Sequence, residues 1–93
     1  MAPVTIYTTR TCPYCHAAKR LLGHKGVQYQ EIDVTGDSQK RAWLAQVTGR
    51  RTVPQVFIGE HSVGGYDDIS ELDADGELDR LLAGESPTGP GIG

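Results

Sequence analysis

Two cysteines, one methionine and one tryptophan are all that the 93 residues hold of those types, and aromatics make up only 6%. No apolar run approaches the roughly 20 residues that a membrane span needs, so no membrane partner is expected. The two cysteines sit three positions apart. A structural disulfide acts by closing a long loop, and this pair closes almost none, which excludes a staple. Zinc would need about two more ligands, and the three histidines, His16, His24 and His61, are scattered, so no metal site is expected. The formal charge is -3 with both signs mixed along the chain, which excludes a broad basic surface for nucleic acid. Met1 to Tyr7 lacks a basic segment followed by a long apolar stretch, so no export signal is expected and the cytoplasm is the expected compartment.

What the chain does contain is one domain's worth of alternating strand and helix signals. Val4-Thr5-Ile6-Tyr7 reads as a strand, and Thr8 to Thr11 as a polar turn. Pro13 suits the first helical position, where its missing N–H costs nothing; Ala18, Leu21 and Leu22 share an apolar face, and Gly26 is a C-terminal cap. Val27 to Val34 is the next strand. Asp37 caps a second helix over about 38–48, with Trp43, Leu44 and Val47 inward and Gly49 closing it. Val56-Phe57-Ile58 and His61-Ser62-Val63 form a hairpin around Gly59-Glu60. Asp67 or Asp68 caps a helix with Ile69 and Leu72, and a last helical stretch carries Leu78, Leu81 and Leu82. The expected architecture is α/β, with a strand–helix–strand crossover giving a parallel pair and the hairpin an antiparallel one. The domain is expected over 1–84, followed by a disordered Gly/Pro/Ser/Thr-rich tail over 85–93.

The strand–turn–helix context gives Cys12-Pro13-Tyr14-Cys15 its chemistry. Cys12 falls at the N-cap, where unpaired backbone N–H groups favour thiolate over thiol. A thiolate is the species that attacks a disulfide. Cys15, one turn deeper, meets less solvent and waits as a thiol to resolve a mixed disulfide formed at Cys12. Tyr14 projects near the rim, where it can pack against a bound thiol compound.

Thr11-Cys12-Pro13-Tyr14-Cys15, followed by a helix with Ala18-Lys19-Arg20-Leu21-Leu22, resembles a dithiol glutaredoxin of the Cys-Pro-Tyr-Cys class. Thr52-Val53-Pro54 is similar to that family's Thr-Val-Pro segment, and Gly64-Gly65-Tyr66-Asp67-Asp68 to its glutathione-binding turn. The resemblance implies a thioredoxin-like fold, a four-stranded mixed sheet flanked by helices, and glutathione as co-substrate with no tightly bound cofactor. It implies a cis bond before Pro54, so that Val53 offers its backbone to the cysteinyl part of glutathione. The helix start at Asp67–Asp68 supplies backbone N–H groups suited to a carboxylate, with Gly65 and Tyr66 among the glutathione-binding residues; Asp67 or Asp68 is expected to meet the γ-glutamyl ammonium, and the resemblance implies that Arg41 contacts the glycyl carboxylate. The expected partners are glutathione and glutathionylated or disulfide-containing proteins, and a monomer is expected. One departure stands out: the family often has Lys three residues before the first cysteine, and here that position is Thr9, with Arg10 beside it.

Three other readings share parts of this pattern. Cys12 to His16 matches a c-type haem attachment sequence, but the only methionine is Met1, the strand-and-helix pattern is wrong, and no export signal is expected. A thioredoxin-reductase-dependent redoxin serving ribonucleotide reductase has the same fold without a glutathione site. A glutathione-ligated iron–sulfur carrier usually avoids a proline at the position of Pro13.

Overall fold

Val4, Ile6 and Thr8 are buried while Thr5 and Tyr7 are half-buried, the period-two pattern of a strand covered on both faces. This is β1 (Val4–Thr8) in the computed structural model, which describes residues 2–84; the tail expected over 85–93 lies outside the described residues. The chain continues through α1 (Pro13–His24), β2 (Gln30–Asp33), α2 (Ser38–Thr48), β3 (Gln55–Ile58), β4 (His61–Gly64), α3 (Tyr66–Ala74) and α4 (Glu77–Leu82). The sheet order is β2-β1-β3-β4. β1 runs parallel to β2 and antiparallel to β3, and β3 is antiparallel to β4. This is the thioredoxin-like arrangement, a four-stranded mixed sheet with flanking helices.

One face of the sheet carries the main core. Ile6, Val56 and Ile58 project from the strands and meet Ala18 and Leu22 of α1, Ile69 of α3, and Leu78, Leu81 and Leu82 of α4. The register places Ile6 opposite Val56 and Val4 opposite Ile58, so the pairs bury together. The other face is thinner. Tyr7 and Phe57 point away from that core, their ring centroids 5.6 Å apart, and Trp43 of α2 lies over both at 5.8 and 6.5 Å. No helix among the described residues is long and apolar enough to cross a membrane.

Several local expectations are corrected. Thr8 closes β1 instead of opening a turn, because its backbone carbonyl accepts from Val34 N–H at 2.8 Å. The strand expected over Val27 to Val34 shrinks to β2, while Val27 packs into the core and Val34 is buried beyond the strand's end. Of the three residues expected inward on α2, only Leu44 is buried. Trp43 is 45% and Val47 47% exposed, since α2 covers a sheet face with few apolar side chains to receive it. Neither Asp67 nor Asp68 caps α3; Gly65 is the N-cap, and Asp68 is the third helical residue, bonding back to Gly65. The caps at Asp37 and Gly49 form as expected, with Asp37 accepting from Lys40 N–H and Gly49 at φ 75°.

These burial differences set an expected stability contrast. Leu78→Ala should cost about 2–5 kcal/mol, because the removed methyl groups leave a void between α4 and the sheet. Val47→Ala should stay within about 0.5 kcal/mol. Urea unfolding of both variants measures the difference, and equal midpoint shifts would contradict the packing described.

Candidate active site

The central strand β1 ends at Thr8, four residues upstream of Cys12, and the chain turns there into α1. Cys12 is the N-cap, with extended backbone (φ -138°, ψ 102°) and Pro13 directly after it. Its Sγ accepts a hydrogen bond from the backbone N–H of Cys15 at 3.2 Å, and its thiol faces the carbonyl of Val53 at 3.6 Å. Both cysteines are free. Cys12 keeps 8% of its surface open and Cys15 only 1%, so an incoming sulfur can reach only the first.

The environment of Cys15 holds it as a thiol. Burial pushes it up to about 12, helped by the hydrogen bond and the charge of Cys12; the Thr9 backbone and the Lys19 ammonium oppose the rise. Cys12, the more open of the two, lies at a helix start with the backbone N–H of Cys15 turned toward its sulfur.

A groove of about 280 Å³ lies beside Cys12, and Tyr14, Arg50, Thr52, Val53, Pro54, Gly65, Tyr66, Asp67 and Asp68 line it. The Val53–Pro54 peptide bond is cis. Tyr14, 61% exposed, and Tyr66 flank the mouth with ring centroids 6.4 Å apart. Of the two glycines before α3, Gly64 is required by close approach and backbone conformation, and Gly65 sits in a tight contact. Gly64 has φ +98°, and a Cβ there would run into the Asp68 carboxylate. A Cβ on Gly65 would lie 3.2 Å from the carbonyl oxygen of Pro54, so the two walls of the groove meet backbone to backbone.

The acidic pair splits into two roles. Asp68 accepts from Gly65 N–H at 2.9 Å and from Arg50 at 2.5 and 3.4 Å. These bonds, Arg50 first, hold its carboxyl below the usual carboxylate range. Asp67 is exposed and has no side-chain partner among the described residues, which leaves it open to a cation in the groove.

Eight of the residues singled out from the sequence thus line one groove, Cys12 adjoins it through Val53, and Cys15 is buried behind Cys12. Arg41 does not: it borders a neighbouring hollow with Ser38, Ala42 and Arg51, and donates to the Arg51 carbonyl at 3.4 Å. Two residues were missed. Arg50 reads in the sequence as one of two adjacent loop arginines, with nothing to mark its 18-residue reach to Asp68. Gln55, fully buried, donates to the Thr52 carbonyl at 3.0 Å and so fixes the segment that precedes Val53. A polar residue at the head of an otherwise apolar strand was its only signal.

The glutaredoxin family profile matches residues 4–63. The chain belongs to the glutaredoxin family. It is 54% identical over 82 residues to glutaredoxin 3 of Escherichia coli K12, covering 88% of this chain and 99% of the relative. It is likewise 54% identical over 83 residues to a glutaredoxin of Pseudomonas aeruginosa, covering 89% and 99%. Among solved structures, a buckwheat glutaredoxin–glutathione complex superposes with a TM-score of 0.83 at 37% identity, covering 89% of this chain and 78% of that one. As a glutaredoxin, the chain is a thiol–disulfide oxidoreductase.

The Arg50–Asp68 pair carries a pH signature. Asp68's lowered folded value means its contribution to stability is complete above the ordinary carboxylate value of about 3.9. It is lost as pH falls through the lowered value. NMR titration should find Asp68 below the usual range, and Arg50→Gln should move it upward. An unmoved value in that variant would remove Arg50 as the main cause.

Proposed function

We propose that this glutaredoxin reduces protein disulfides and glutathione mixed disulfides with glutathione as co-substrate, Cys12 as nucleophile and Cys15 as resolving thiol. One observation carries the reading: a single groove runs from Val53, whose carbonyl faces the Cys12 sulfur, to the start of α3. Its two ends offer the features that an extended γ-glutamyl tripeptide needs. Val53 has backbone groups for pairing with the cysteinyl unit, as an added strand would pair. The N-terminal N–H groups of α3 suit the γ-glutamyl carboxylate. Asp67 is the partner for its ammonium, since Asp68 is already held by Arg50 and Gly65. Arg41 reaches the glycyl carboxylate by giving up a long, weak bond to a carbonyl in exchange for a charge-assisted one. Tyr14, Thr52, Pro54, Gly65 and Tyr66 form the walls.

The chemistry is two exchanges. The Cys12 thiolate attacks the glutathione sulfur of a mixed disulfide; a new disulfide forms at Cys12 and the protein thiolate leaves and takes a proton. A second glutathione thiolate then attacks that adduct, releasing oxidised glutathione and regenerating Cys12. With a protein disulfide, Cys12 forms a mixed disulfide and the Cys15 thiolate displaces the product, leaving Cys12–Cys15 oxidised. The pair is then reduced by glutathione, as expected for glutaredoxin potentials of about -200 to -230 mV. The reading carries with it a monomer in the cytoplasm. A coupled assay comparing glutathione and its reductase with thioredoxin reductase as electron source separates it from a thioredoxin-reductase-dependent redoxin.

Two outcomes test the assigned roles. Cys12→Ser should abolish both reactions, whereas Cys15→Ser should lose dithiol reduction and still remove glutathione from mixed disulfides, with the adduct on Cys12 by mass spectrometry. Activity surviving in Cys12→Ser would reverse the roles. Asp67→Asn should raise the KM for glutathione several-fold and change little with a disulfide lacking the γ-glutamyl group. Equal losses with both would argue against recognition at Asp67.

A further inference from the structure

Behind the two thiols lies a charged chain that the exchange chemistry above does not use. Lys19 follows Cys15 by four residues on α1, so their side chains share one helix face about 5–6 Å apart at Cβ. The Lys19 ammonium is held by Glu31 of β2 at 3.0 Å, and the Lys19 side chain is three-quarters covered. The same Glu31 oxygen accepts from the buried hydroxyl of Thr8, at the end of β1, at 2.8 Å. The next residue, Thr9, presents its backbone to the Cys15 sulfur. One carboxylate therefore fixes both the cation and the strand end that face the second thiol.

We propose that Lys19, held by Glu31 and Thr8, is a positioning residue that stabilises the Cys15 thiolate during closure of the Cys12–Cys15 disulfide. The inference rests on Cys15 acting as the resolving thiol. In that step Cys15 loses its proton and its sulfur attacks Cys12. The Cys12–Cys15 bond forms, the bond from Cys12 to the departing thiol breaks, and the leaving thiolate takes up a proton. The cysteine pair is oxidised by two electrons and the departing sulfur is reduced. The charged and polar groups that act on Cys15 are Cys12, the Thr9 backbone and Lys19; those that act on Lys19 are Glu31, which it contacts, and Tyr29 and Cys15. Lys19 is the one cation among those groups. Once Cys12 is tied in a mixed disulfide its negative charge is gone, and burial is the main opposition left to the thiolate. Glu31 is held below the usual carboxylate range by Thr8 and Lys19, so the pair stays charged through neutral pH.

Removing a cation at this range raises a thiol by about one pH unit, a tenfold loss of thiolate. The more basic thiolate is a better nucleophile and recovers about threefold, so closure should slow by about three- to fourfold at neutral pH. The experiment mixes reduced protein with oxidised glutathione and follows the Cys12 adduct and its closure by acid-quenched mass spectrometry between about pH 6 and 10, on the limb below the raised value of Cys15. Lys19→Met should leave adduct formation within about twofold and slow closure about three- to fourfold along the whole limb, a displacement of about half a pH unit to the alkaline side. Lys19→Arg should restore it. An unmoved closure profile in Lys19→Met, equal slowing of adduct formation and closure, or failure of Lys19→Arg to restore the profile would overturn the proposal. A Cys15→Ser control must accumulate the adduct without closure; if it does not, the assignment of Cys15 as resolving thiol falls, and this inference with it.

Discussion

The backbone N–H of Cys15, 3.2 Å from the Cys12 sulfur, is the interaction on which the site depends. It exists because β1 is an inner strand. With β2 and β3 pairing on its two sides, β1 cannot shift, and the loop after it delivers Cys12 to the N-cap of α1. Pro13 then starts the helix with φ already set and no donor of its own. The sulfur thereby takes the place that a serine or aspartate oxygen holds at an ordinary helix start. Capping and nucleophilic activation are one arrangement at this residue.

The second wall of the groove depends on a different economy of charge. Asp68 spends its two oxygens on Gly65 and Arg50, tying α3 to the loop that follows α2. That tie requires Gly64, whose backbone lies against the carboxylate, and brings Gly65 against Pro54. The neighbouring Asp67 is left unpaired among the described residues and exposed. Two adjacent carboxylates thus differ in surroundings because helical geometry turns successive side chains about 100° apart. Both border the groove, but Asp68 bonds back over the first turn while Asp67 stays exposed.

This division was only half legible in the sequence. The motifs Thr52-Val53-Pro54 and Gly64 to Asp68 announced a groove, but which aspartate was structural depended on Arg50, a contact across 18 positions that no local pattern encodes. The strand and helix order was readable because each segment has its own period and its own stop signal, such as Asp37 and Gly49 around α2. The inward face of α2 was not. Its spacing suggested Trp43 and Val47 beside Leu44, but the sheet face it covers offers few apolar side chains, Tyr7, Phe57 and Ile32, to pack against, so the outer two stay half exposed. Likewise Val27 and Val34 have strand-like composition and reach the core from outside β2, because burial alone does not require pairing. The placement of the two cysteines was legible, Cys12 at the N-cap and Cys15 buried in the first turn, since Pro13 marks where the helix begins.

The asymmetry between those cysteines also sets the order of events. Two thiolates one turn apart would repel, so only one can be charged at a time. Burial resolves the competition by raising Cys15 to about 12, which keeps it neutral while Cys12 is free. Covalent capture at Cys12 removes the negative charge that opposed ionisation of Cys15, and the neighbouring ammonium and Thr9 backbone remain in place. The second thiol therefore becomes easier to ionise only after the first has reacted. In the proposed exchange attack by Cys12 precedes resolution by Cys15, because burial first and the neighbouring sulfur second hold Cys15 as a thiol.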